Sequence, residues 1–249
     1  MKIAVLGDAH LISPKATEEK KVKKRKHFRG TEVSFRKMMN KVEKKKPDLV
    51  VFLGDLVDWF SKENISYAVN LVNEFEIPRE AVPGNHDING SISKNRMLQE
   101  WERQGINFEN RIIEKKDLAL IFLDSALSRV PEGTAEWLDQ NIDKTKKNIL
   151  FTHVPLNIPE VREFILNVDP DKDLNKYVQS KSPNLYDDCL KGNIDQVYTG
   201  HLHFGGELRI ENTEMYFLPV CVKAGKPYPD MGKVLIFDTE TDEHKYLEI

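Results

Sequence analysis

A chain of 249 residues, 40% hydrophobic and 31% charged, carries enough apolar material to bury a core unaided and far too much to remain disordered. Its two cysteines, Cys189 and Cys221, stand in unrelated contexts, which argues against a disulfide framework or a cysteine zinc site, and no apolar run approaches the roughly 18 residues of a membrane-spanning helix. The net charge of -3 hides an uneven spread, because residues 15–46 hold 14 Lys and Arg against 4 Glu, a balance of +10 that leaves -13 elsewhere.

The first apolar stretch, residues 3–6, is shorter than the roughly 7–15 residues of a secretory signal core and is interrupted by Gly7 and Asp8. It predicts a first strand, retained in a cytoplasmic protein. Residues 49–53, 118–123 and 149–151 are brief aliphatic runs that suit strands of a sheet covered on both faces. Between them lie helical stripes: Phe35, Met38, Met39 and Val42, with Thr31 as N-cap; then Ile65, Ala68, Val69, Val72 and Phe75; then Ala135, Leu138 and Ile142, opened by Thr134. Residues 156–192 are punctuated by Pro159, Pro170 and Pro183 and read as a cap or a connecting insert. After Gly200 the texture is all strand, at 205–211, 215–218, 233–238 and 243–248. The order points to a layered α/β architecture in a single domain, 1–249.

Chemistry gathers where the expected strands end. The first runs into Gly7, Asp8, Ala9 and His10; the second into Gly54, Asp55, Leu56, Val57 and Asp58. A short strand at 81–82 leads to Gly84, Asn85, His86 and Asp87; residues 149–151 lead to His153 and Pro155; and 196–198 lead to Gly200, His201 and His203. In open α/β sheets, sites form outside the carboxyl ends of strands. Five of the seven histidines fall in these clusters. Imidazole, carboxylate and one carboxamide, without thiolate, suit Mn, Fe, Zn, Co or Ni. Asp8 and His10 are two apart, as are His201 and His203, so an extended backbone puts each pair on one face. Seven candidate ligands are too many for one tetrahedral ion and enough for two divalent ions that share a carboxylate, which leaves His86 for acid–base work.

Taken in order, GDxH, GDxxD, GNHD, HxP and GHxH resemble the calcineurin-like metallophosphoesterases from Asp8 to His203. That resemblance implies a four-layer αββα sandwich and hydrolysis of a phosphoester by a metal-bridging hydroxide. It implies that Asp8, His10 and His203 hold one metal, that Asn85, His153 and His201 hold the other, and that Asp55 bridges them. His86 becomes the proton donor and contacts the substrate phosphate together with Asn85, while Asp87 orients His86 and keeps it cationic. Asp58 takes a supporting part. His27 and His244 lie outside every motif and read as surface residues.

The substrate is less defined. Leu123, Asp124 and Ser125, followed by residues 131–138, resemble the bacterial cyclic-nucleotide phosphodiesterase-like branch. The stretches 8–11 and 53–59 resemble the UDP-diacylglucosamine pyrophosphohydrolases, which carry an arginine where this chain has His86, so that substrate is disfavoured. The leading expectation is a phosphodiesterase or phosphatase for a small phosphorylated metabolite, plausibly a nucleotide. The rival is a nuclease-like enzyme that uses the basic run at 20–29 for backbone contacts, with residues 15–29 the candidate substrate contact. A non-catalytic scaffold on the same fold, as in the retromer-type subunit, is the remaining alternative, disfavoured because neither the ligands nor His86 is missing. Oligomeric state is left open by the sequence.

Overall fold

The computed structural model describes residues 1–89 and 92–249. Its elements, in chain order, are β1 (Lys2–Leu6), α1 (Glu19–Lys24), a 3-10 turn (Lys26–Phe28), α2 (Glu32–Lys44), β2 (Leu49–Phe52), α3 (Lys62–Val72), β3 (Arg79–Ala81) and α4 (Lys94–Arg103). There follow β4 (Arg111–Glu114), β5 (Leu118–Leu123), α5 (Thr134–Asn141), β6 (Lys147–Thr152), α6 (Pro159–Val168), α7 (Leu174–Tyr177) and a wide helical turn (Tyr186–Leu190). The chain closes with β7 (Gln196–Thr199), β8 (Gly206–Ile210), β9 (Thr213–Phe217), β10 (Lys233–Asp238) and β11 (His244–Glu248).

Two sheets form, ordered β11-β10-β1-β2-β3 and β4-β5-β6-β7-β9-β8. In the first, β1, β2 and β3 run parallel, with Ile3 opposite Leu49 and Val50 opposite Arg79; in the second, β5, β6, β7 and β9 are parallel. Parallel strands bring their carboxyl ends to one edge, and this places every motif loop together.

The side-chain alternation of the strands sorts the apolar residues into layers. Ile3, Val5, Leu49 and Val51 of the first sheet meet Leu120, Phe122, Ile149, Phe151 and Tyr198 of the second in a core between the sheets. Ala4, Leu6, Val50 and Phe52 face the other way, onto Phe35, Met38, Met39 and Val42 of α2 and Ile65, Ala68 and Val72 of α3. On the far side Ile121, Leu123, Leu150 and Val197 pack on Leu138 of α5 and Val161 and Ile165 of α6. Helices, sheet, sheet, helices is the four-layer αββα sandwich expected. No helix among the described residues is long and apolar enough to cross a membrane.

Some local expectations are corrected. Thr31 does not cap α2 through its side chain; its hydroxyl donates to the Phe28 carbonyl instead. The third strand is Arg79–Ala81, one step before the apolar pair that suggested it. His244 is not a free surface residue: it stacks on Tyr216 at 4.4 Å and lies 2.8 Å, Nε2 to hydroxyl, from Tyr198, at the end of an aromatic ladder through both sheets. His27 is half-buried and packs against Phe28, with Nε2 3.2 Å from the Tyr228 hydroxyl. Cys189 and Cys221 are buried free thiols.

Candidate metal centre

The loops after β1, β2, β3, β6 and β7 converge. Asp8, His10, Asp55 and His203 can each offer a ligand atom within 4.8 Å of the others, and so can Asp55, His153 and His201. Asp55 belongs to both groups. Asn85 joins the second, its Oδ1 3.2 Å from His153 Nε2. All seven candidate ligands are therefore brought together, as two half-sites that meet at one carboxylate.

The backbone achieves this by a different route from the one the spacing suggested. Asp8 (φ 35°), His10 (46°), Asp55 (49°), His201 (70°) and His203 (64°) all lie in the left-handed region, so neither pair is extended. Asp and His tolerate that region better than bulky residues do, and such strain collects where surrounding structure over-determines a functional loop. The approach of the β2 and β3 loops is close enough to require glycine twice. A Cβ on Gly84 would stand 2.1 Å from Asp55 N, and one on Gly54 would stand 2.4 Å from Gly84 N.

Each carboxylate is half-occupied. Asp8 Oδ2 accepts the His201 amide at 2.9 Å, and Asp55 Oδ1 accepts the His86 amide at 2.8 Å. The other oxygens face imidazoles. Asp8 Oδ1, wholly buried and without a hydrogen-bond partner, stands 3.5 Å from His203 Nε2, while Asp55 Oδ2 stands 3.7 Å from His10 Nε2 and 3.5 Å from His153 Nε2.

The histidines are fixed in tautomer by what lies behind them. His153 Nδ1 donates to the Leu53 carbonyl at 2.7 Å, and His201 Nε2 donates to the Lys176 carbonyl at 2.8 Å. His10 Nδ1 is 3.0 Å from Asp58 Oδ1. In each ring the opposite nitrogen is left as a lone pair directed into the cluster, where the Nε2 atoms of His10 and His203 come within 2.9 Å, and His201 Nδ1 and His153 Nε2 within 3.1 Å. A partnerless buried carboxylate oxygen among convergent imidazole lone pairs fits a pair of transition-metal ions.

Protonation agrees. Burial drives His10 down to about 4 and His201 to about 3, so both are neutral near pH 7, as metal ligands must be. Burial works to raise Asp8, but the adjacent imidazole of His203, with that of His153, outweighs it and keeps the carboxyl below its ordinary range. For Asp55 the burial effect is overcome by the charges of His153, His86, His10 and His201. Both carboxylates are thus poised in the charged form.

Asp87 and Asp58 exchange the parts expected of them. The Asp87 carboxylate accepts the Val57 amide at 3.1 Å and the Gly84 amide at 2.9 Å, clamping the second and third loops, and burial with the neighbouring Asp55 charge holds it well above the usual range. It binds main chain and does not orient His86. That contact comes from Asp58, whose carbonyl lies 2.5 Å from His86 Nδ1 and whose Oδ1 is 3.8 Å from the same atom. Asp58 in turn is gripped by Arg25, with Nε 2.9 Å from both carboxylate oxygens and Nη2 2.6 Å from Oδ1. Burial, outweighed by hydrogen bonds to His10 and Arg25, leaves Asp58 at about 2.

Arg25 accounts for the inner part of the basic run. Phe28, fully buried, packs on His10 at 4.3 Å between ring centres, and Arg25 lies over Phe28. Lys20, Lys21, Lys23, Lys24 and Lys26 are exposed, and among residues 15–29 only Arg25 lines the cleft over the metal centre. That cleft is about 1020 Å³ and is walled on the far side by residues 168–181, inside the segment read as a cap or connection. The sequence could not have shown that the Leu53 and Lys176 carbonyls orient ligands, since a backbone oxygen leaves no residue-type signal.

Comparison with known proteins follows the same line. Over 226 residues the chain is 24% identical to a protein of Fibrobacter succinogenes named as a probable cyclic nucleotide phosphodiesterase, covering 88% of this chain and 79% of that one. It is 30% identical over 119 residues to a probable glycerophosphodiester phosphodiesterase of Arcobacter nitrofigilis, covering 45% of this chain and 43% of that one, so the match spans under half that relative's length. A dimetal phosphatase from Danio rerio shares the fold with a TM-score of 0.62 at 13% identity, covering 100% of this chain and 98% of that chain. The calcineurin-like phosphoesterase family matches residues 1–205, and with its ligand loops assembled as described the chain belongs to that family, hydrolases of phosphoesters that use a binuclear divalent metal centre.

Proposed function

We propose that the protein hydrolyses a small phosphodiester or phosphomonoester, with nucleotides as the leading candidates. The observation that carries this is the pair of half-occupied carboxylates, Asp8 and Asp55, each with one oxygen fixed by a backbone amide and the other directed among imidazole lone pairs. Asp8, His10 and His203 would hold one divalent ion and Asn85, His153 and His201 the other, with Asp55 shared; Mn, Fe, Zn, Co and Ni all suit the donors. Bound there, the ions supply Lewis-acid stabilisation of the charge that develops on the phosphoryl oxygens.

The chain's own groups do the rest. Hydrolysis adds water across a P–O bond, so the leaving oxygen must gain a proton as that bond breaks. His86 lines the cleft and is oriented through Nδ1 by the Asp58 carbonyl, which leaves Nε2 to deliver the proton. Asn85, beside it on the same loop, also lines the cleft and orients the phosphate. Asp87 keeps the His86 loop docked on the Asp55 loop. Residues 168–181 wall the cleft and serve as its cap.

The small-substrate reading has more support than a nuclease-like one, because the exposed lysines of residues 20–26 lie outside the cleft. A panel after Mn reconstitution tests it: bis-aryl phosphate, aryl phosphate, cyclic nucleotides, nucleotide pyrophosphates and single-stranded DNA. Turnover of the small esters with little dependence on salt is expected. Turnover of DNA alone, suppressed by salt, would overturn it.

A further inference from the structure

The charge of the cleft wall exceeds what one scissile phosphate calls for. Six cations line it (Arg25, Arg129, Lys172, Lys176, Lys181 and Lys226) against Asp55 and Asp169. Three of the six are accounted for: Arg25 grips Asp58, Lys172 pairs with Asp169 at 3.3 Å, and Lys176 pairs with Asp173 at 2.9 Å. Arg129, Lys181 and Lys226 make no ion pair within 4.0 Å among the described residues. Arg129 and Lys181 are the instructive pair. They come from loops 52 residues apart in sequence, yet the Lys181 amide donates to the Ser128 carbonyl at 3.0 Å and the Val130 amide donates to the Ser182 hydroxyl at 3.1 Å.

 These two bonds stitch the segments side by side and bring both cations to the ridge between the metal cleft and an adjoining cavity of about 640 Å³, which they also line. Asp124, Glu132, Glu136 and Asp188 also line that adjoining cavity, but Asp124 is paired with Lys94 and none of the four lies within 4.0 Å of either cation, so the two exposed charges are open to an anion at the mouth of the cleft.

We propose that the substrate carries a second phosphate, held by Arg129 and Lys181 while the scissile phosphoryl group lies at the metal edge. The inference rests on the phosphoester-hydrolase reading and narrows its substrate class to a small ester with two phosphate groups. Lys226, beside Tyr228 on the lining of the cleft, adds to the field that draws such a polyanion in. Guanidinium and ammonium together suit a phosphate, the first by its forked donors and the second as a mobile point charge.

The test is calorimetric titration of the Mn-reconstituted protein with thymidine 3′,5′-bisphosphate and with thymidine 5′-monophosphate, in the cold, with ligand integrity checked afterwards. The bisphosphate is expected to bind at least about tenfold more tightly. In the R129A/K181A variant that ratio should fall to within about twofold of one, whereas K20A/K23A, which removes two cations outside the cleft, should keep it. Equal affinities in the wild type, binding of neither ligand, or a ratio that survives R129A/K181A would overturn the proposal, and an equal fall in K20A/K23A would replace the subsite with a general field. Metal content and the thermal transition of each variant report whether it is folded. An intact affinity ratio in a protein that turns over no phosphoester would overturn the hydrolytic reading and leave the subsite standing.

Discussion

The two halves of the proposed metal centre gather similar candidate ligands and are supported by different means. In the first, His10 leans on the carboxylate of Asp58, which is gripped by Arg25 on a segment that also brings Phe28 against the imidazole. In the second, His153 and His201 lean on the carbonyls of Leu53 and Lys176. A charged support makes its histidine a more basic ligand and can be removed by one substitution. A carbonyl support is part of the main chain and is not reached by changing a side chain.

Substitutions can break or sharpen that contrast. The largest effect belongs to the residue both halves share: Asp55→Ala should lower turnover at least about a thousandfold, and metal analysis should find less than two ions per chain. His86→Ala should keep both ions yet lose about a hundredfold or more on esters with poor leaving groups, and much less on nitrophenyl esters, which leave without protonation. Equal losses on the two classes would contradict a proton-donating role. Asp58→Asn should weaken metal affinity about 10- to 100-fold at the first half-site only, read as a biphasic Mn titration in which the tighter phase is unchanged. Arg25→Ala, one step further out, should produce a similar but smaller split, about tenfold or less. The smallest change is expected for Tyr177→Phe, which keeps the ring packed at 5.2 Å from His201 and leaves the Lys176 carbonyl in place: metal affinity should shift less than about twofold.

The contrast also marks what could be read from the chain. The meeting of the motif loops was legible because each couples a strand end to ligand-type side chains, and the structure brings those side chains into one cluster. The layers were legible from the stripes at Phe35 to Val42 and Ile65 to Val72, which became the helix faces observed. α4 was not, because only Met97 and Trp101 of its ten residues are buried, too few to make a stripe. The left-handed turns at Asp8, His10, His201 and His203 were hidden, since two-residue spacing reads equally well as an extended strand. Asp87 reads as the partner of His86 because the two are adjacent in sequence, whereas the contact with the His86 ring comes from Asp58, 28 residues away. The wall at 168–181 stayed opaque for a related reason: it acts through a backbone carbonyl and exposed lysines, neither of which has a distinctive pattern.

The central claim is that two ions share Asp55, one on each differently supported half. Anomalous diffraction from crystals reconstituted with Mn tests it most directly. The expected result is two peaks about 3.5–4 Å apart on either side of Asp55, one among Asp8, His10 and His203 and the other among Asn85, His153 and His201. A single peak at saturating Mn, or a second peak away from His153 and His201, would contradict it.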